Sequence, residues 1–130
     1  MIRFLNEGSI TEMHNELIHS YGGEPELRDA SLLDSALNQP MLALHFLDAS
    51  LCELAAAYGY HICQNHPLFD GNKRTARMVM IVFLRYHGLR ITASEDETLD
   101  KMLDIANGRM SKQQLADWLL AVTTSIPLAE

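Results

Sequence analysis

The chain has 130 residues, 48% hydrophobic and 21% charged, which is about one domain of ordinary globular composition and excludes a collagen, a mucin stalk or a disordered tail. Ten Lys and Arg against 17 Asp and Glu give a formal charge of −7, which argues against a protein that coats nucleic acid through general electrostatics. The charge is unevenly spread: residues 1–65 hold 2 basic and 9 acidic side chains, residues 66–90 hold 5 and 1, and residues 91–130 hold 3 and 7.

A recurring helix start orders the chain, a Ser followed three residues later by Glu or Gln, which satisfies two orphan backbone donors at once. It occurs at Ser9/Glu12, Ser50/Glu53, Ser94/Glu97 and Ser111/Gln114. The first predicts a helix over Ile10–Tyr21, with Met13, Leu17 and Ile18 on one face and a stop at Gly22-Gly23. Tyr21 to Asp29, YGGEPELRD, reads as a loop. Asp29 caps a short helix carrying Leu32, Leu33, Ala36 and Leu37 that is expected to end before Pro40, with another short apolar helix near Met41–Leu47.

From Ser50, SLCELAAAYGYHICQN places Leu51, Leu54, Ala55, Tyr58 and Ile62 at helical spacing and ends near Pro67. After a loop over 66–71, Asn72–His87 reads as a helix. Its middle, MVMIVFL, is apolar on every side and is expected at the centre of the bundle. Gly88 ends it, Leu89–Ala93 is a short extended stretch, and helices near Glu95–Asn107 and Lys112–Val122 complete the chain. The expectation is one all-α domain over 1–130, a compact single-domain bundle of six or seven helices.

Cys52 and Cys63 form no Cys-x-x-Cys. Eleven residues along one helix set them about 16 Å apart, too far for a disulfide, so they are expected as buried fillers in a reducing compartment. The start, MIRFLNEGS, lacks the apolar run of a signal peptide, and the longest such run, Met78–Leu84, is too short to span a bilayer. A cytoplasmic protein without membrane contact is expected.

The chemistry concentrates in NHPLFDGNKRTAR, Asn65–Arg77, within the basic stretch. A cationic cleft would produce such a stretch; from charge alone, scattered surface cations on one helix fit as well. Gly71 allows close backbone approach, and Asn72 stands where the free N–H groups of the next helix point into the loop. Helix dipole, amides and cations together suit phosphates, although a single glycine excludes the P-loop pattern. His66 is suited to take a proton from an attacking hydroxyl. Asp70 is suited to hold Mg²⁺ together with nucleotide phosphates, and Lys73 and Arg74 to neutralise charge on a transferred group. His61 and His66 diverge at a helix end and make a poor zinc pair, so His61 is expected in or near the core. His14, His19, His45 and His87 are expected at the surface or at helix ends.

HPLFDGNKR, His66–Arg74, resembles the signature H-x-F-x-[DE]-[GA]-N-[GK]-R of the Fic and Doc (death-on-curing) family. YGGEPELRD with ASLLDSALNQP, and IANGRMSKQQLADWL, resemble the N-terminal and C-terminal regions of its compact Doc branch. The resemblance implies the Fic/Doc helical fold, His66 as general base, Asp70 as Mg²⁺ ligand, and Gly71, Asn72 and Arg74 on nucleotide phosphates. It places Arg77 on a terminal phosphate. Lys73 stands where AMP-transferring Fic enzymes carry glycine, which implies the Doc activity: an ATP-dependent protein kinase acting on a translation factor, elongation factor Tu, as the toxin of a toxin–antitoxin pair. AMP transfer and a catalytically idle antitoxin-binding module are the alternatives. The family's aromatic third position is Leu68 here, so the loop's hydrophobic anchor is expected to be supplied differently. The inhibitory pattern [ST]-x-x-x-E-[GN] fails at Pro25 in Ser20–Pro25, so inhibition is expected in trans, from a Phd-like antitoxin. The loop Tyr21–Asp29 is expected to present the target peptide.

Overall fold

A computed structural model describes residues 1–127, and within them six α-helices and one two-stranded sheet. The expected domain span of 1–130 thus reaches three residues outside the described ones.

Helix α1, Glu7–Tyr21, begins three residues before its expected start. The cap is Asn6, whose Oδ1 accepts from the Ser9 N–H at 2.9 Å and the Ser9 hydroxyl at 3.1 Å. Asn caps as well as Ser, and Glu7 in the first turn suits the positive helix end. Ser9 is therefore held by the cap and does not itself supply it. The helix stops at Gly22, at φ +80°.

Helix α2, Ala30–Leu47, is capped by Asp29, which accepts from Ser31 and Leu32, and it runs through Pro40. Ser31 first and Leu32 second hold the Asp29 carboxyl below its ordinary range. The two short helices expected here are one. Pro40 gives up a backbone bond and costs helix stability; it is buried, like Leu33, Ala36 and Leu37 of the same helix, and burial of an apolar ring is favourable.

Helix α3, Leu51–Asn65, starts at the Ser50/Glu53 box as expected and is the centre of the bundle, with nine of its residues buried. It packs against α2, against α4 (Asn72–Tyr86), α5 (Glu95–Ala106) and α6 (Lys112–Val122). This corrects the expectation that α4 is central: its Met78, Ile81 and Val82 are only half-buried. The Ala55–Ala57 run and Gly59 keep α3 thin, so neighbours surround it closely, whereas bulky α4 packs on one side. A Cβ at Gly59 would come 2.5 Å from the Sδ of fully buried Met80. Cys52 and Cys63 lie on this helix, buried and free; burial pushes the Cys63 thiol up to about 12.

The Ser94 and Ser111 boxes cap α5 and α6 as expected. Strand β1, Leu89–Ile91, pairs antiparallel with β2, Thr123–Ser125, in the register Arg90 to Thr124. An extended N-terminal strap is pinned by two side chains. The Leu5 N–H donates to the Tyr58 hydroxyl at 2.9 Å, and the Arg3 N–H donates to His87 Nε2 at 2.9 Å. Among the described residues no helix is long and apolar enough to cross a membrane.

At the start of α6 the Lys112 ammonium donates to His61 Nε2 at 3.0 Å. Burial first, and Lys112 second, lower the His61 pKa from 6.5 to about 4. An unfolded chain therefore takes up this proton before the folded one does. Stability is expected to fall as pH drops from about 6.5 towards about 4. Urea midpoints measured across that window should show the loss, and His61→Gln should reduce it. Gly59→Ala should lower stability by about 1 kcal/mol at unchanged m-value, the clash with Met80 outweighing the better helix propensity of Ala.

Candidate active site

The site is built where α3 ends and α4 begins. Pro67 disfavours a helical residue before it, and His66 closes α3 in the left-handed region at φ +50°, its N–H still bonded to the Ile62 carbonyl. That conformation is costly for a residue with a side chain. Arg28 holds it: Nε donates to the His66 carbonyl at 2.6 Å and Nη2 to the Asn65 carbonyl at 3.0 Å. A cation on the last carbonyls of a helix also suits the negative end of its dipole.

The loop after α1 lies along the following residues. The Pro67 carbonyl accepts the N–H groups of Arg28 and Asp29, and Leu27 bridges Leu68 antiparallel. Leu68 is buried at 1% exposure while Phe69 is 48% exposed. The hydrophobic anchor is therefore Leu68, at the signature's own third position, and the neighbouring aromatic takes no part in it.

Asn72 fixes the turn. It is 4% exposed, its Oδ1 accepts from the Leu68 N–H at 3.1 Å, and its Nδ2 donates to the Leu68 carbonyl at 2.9 Å. With the side chain so engaged, the backbone N–H is what Asn72 has left for an anion. His14 holds the turn from the other side. It is 2% exposed, and its Nε2 donates to the Asp70 carbonyl at 2.8 Å. This corrects the expectation of a surface His14: it stands four residues from both Ile10 and Ile18, on the buried stripe of α1. Asp70 Oδ2 accepts the Glu24 N–H at 2.8 Å, and Gly23 allows that approach, since a Cβ there would lie 3.1 Å from Asp70 Cβ.

Gly71, at φ +80°, starts α4 with no side-chain cap, so the first-turn N–H groups of Asn72, Lys73 and Arg74 are left open. Two cavities flank this helix end and share Gly71 and Arg74. One, about 320 Å³, is completed by Tyr21, Gly23 and Asp70; the other, about 290 Å³, by Lys73, Leu99 and Asp100. Asp70, Gly71, Asn72, Lys73 and Arg74 are thus brought together at one helix end. Neither cavity is lined by His66, which is exposed, or by half-buried Arg77, whose Nε is buried without a partner among the described residues. Arg28 and His14 are the residues that sequence reasoning missed. Arg28 had one signal, as one of two cations in the first 65 residues.

A carboxylate four residues after an exposed histidine, two cations and open amides, gathered at a helix start, are suited to binding phosphate groups. The Fic/DOC family model matches residues 4–84, and the chain belongs to this family. It is 38% identical over 90 residues, 68% of each chain, to the Toxin Doc of Mycolicibacterium smegmatis. It is 27% identical over 119 residues, 91% of this chain and 94% of the relative, to the Protein kinase doc of Escherichia phage P1.

Asn72→Leu removes both partners of the buried Leu68 backbone. An unsatisfied buried group costs about 1–3 kcal/mol, so the variant should lose at least that much stability in urea denaturation. His14→Phe keeps the volume without the donor and should cost less, about 1 kcal/mol.

Proposed function

We propose that this chain is a Doc-type toxin, a protein kinase that moves the γ-phosphoryl group of ATP to a Ser or Thr hydroxyl of a translation factor, with elongation factor Tu as the candidate target. The observation that carries the reading is the Asp70–Arg74 turn, which sets a carboxylate, Lys73, Arg74 and an uncapped helix start side by side. The names of the two relatives, a toxin and a protein kinase, support it. So does Lys73, an exposed cation at the position that distinguishes the Doc branch by resemblance.

The residues fit Mg²⁺ as a cofactor. One Asp70 oxygen is taken by the Glu24 N–H; the other is a hard donor at a cavity edge, and Mg²⁺ is commonly held by one or two carboxylates together with substrate phosphates. When bound, Mg²⁺ supplies charge neutralisation on those phosphates. Lys73, Arg74 and the open amides of α4 hold phosphate oxygens, and the resemblance assigns a terminal one to Arg77, one turn further along the helix. His66, on the exposed end of α3, takes the proton as the target hydroxyl attacks the γ-phosphorus and ADP leaves. A Phd-like antitoxin restrains the enzyme in trans, in the cytoplasm.

Incubation with ATP labelled separately at the α and γ positions, with elongation factor Tu present, should transfer label from the γ position alone. Label retained only from the α position would overturn the kinase reading in favour of AMP transfer. His66→Ala should lower the transfer rate about 10²–10⁴-fold and abolish growth arrest on expression. Arrest that persists in that variant would point to an idle binding module.

A further inference from the structure

Arg74 stands in both cavities, among carboxylates. Asp70 lines one cavity with it and Asp100 the other. A guanidinium in such surroundings ordinarily pairs with a carboxylate, and each N–H given to a carboxylate is one withheld from phosphate. Arg74 makes no ion pair among the described residues; the pair found there is Arg109–Asp104. What holds it is a ring: the Arg74 guanidinium carbon lies 4.2 Å from the centroid of Tyr21, at the end of α1. The ring is itself oriented, because the Tyr21 hydroxyl donates to Glu95 Oε1 at 3.4 Å, at the start of α5. Tyr21 is 55% exposed and lines the larger cavity, so core packing does not account for its position.

We infer that Tyr21 is a positioning residue for phosphate binding: its ring carries the Arg74 guanidinium by its face and leaves the N–H edge free for the phosphates of the nucleotide. A cation–π contact draws on the charge of the guanidinium as a whole, so none of its five donors is given to a carboxylate oxygen. It keeps the cation fixed without neutralising it, which a carboxylate partner would not do. The Glu95 carboxylate accepts from the Tyr21 hydroxyl and makes no ion pair with Arg74 among the described residues. Tyr21 thereby ties α1 and α5 to the helix end from which the phosphates are held. The inference rests on the nucleotide reading above and adds a residue to it.

The test is calorimetric titration of the full chain in a His66→Ala background, which removes turnover, with MgATP and with inorganic tripolyphosphate. Tyr21→Leu should weaken both ligands about three- to fivefold, the range of an exposed cation–π contact. Tyr21→Phe, which keeps the ring and gives up only the bond to Glu95, should lose less than twofold. In an Arg74→Ala background Tyr21→Leu should change nothing further, since its effect passes through Arg74. Unchanged affinity in Tyr21→Leu, an equal loss without Arg74, or a loss for MgATP that spares tripolyphosphate would each overturn the inference and leave the kinase reading standing. A folded His66→Ala protein that binds neither ligand would overturn both.

Discussion

The turn between α3 and α4 depends on one amide. Asn72 takes both backbone groups of Leu68, and the Leu68 side chain is sunk in the core below it. With that residue fixed, Phe69 and Asp70 have no direction left but outward, and Gly71 must reverse the chain into α4. The start of α4 is consequently uncapped. An end without a side-chain partner is unfavourable for a helix alone, and it is the condition under which a helix end binds anions.

The turn is supported from a distance. His14 comes from the middle of α1, Glu24 and Arg28 from the loop behind it, and each contributes a hydrogen bond to a backbone or side-chain group between Asn65 and Asp70. None of the three carries the proposed chemistry. Their role is to hold strained or protruding backbone in place, including a histidine with positive φ. The N-terminal quarter of the chain, acidic in net charge, thus serves as the frame of a cationic site.

The sequence was most legible where structure is local. The Ser50, Ser94 and Ser111 boxes, the Asp29 cap and the glycine stops are decided within four residues, and they stand as read. Apart from the Asn6 cap, which competes with Ser9 three residues away, the misreadings turn on how elements pack in three dimensions. Pro40 is tolerated because its ring meets the core, the thin α3 becomes central because bulky neighbours surround it, and β2 exists because β1 lies beside it. Residue types and spacing singled out the 66–77 segment, of which the structure gathers Asp70–Arg74 around two cavities without His66 or Arg77. Asn72 read as a phosphate residue, yet its side chain is spent on Leu68. The basic stretch itself divides: Lys73, Arg74 and Arg77 lie in the first turns of α4, while Arg85 and Arg90 lie at the other end.

The fastenings of the N-terminal strap and of β2 share that other end. The strap is bonded at Arg3 to His87, and β2 is bonded to β1 directly after it, with the Ile126 N–H on the Gly88 carbonyl. Fifteen residues of helix, about 22 Å, separate this pole from Gly71. Whatever loosens the strap or β2 therefore acts at the pole remote from the turn at Gly71.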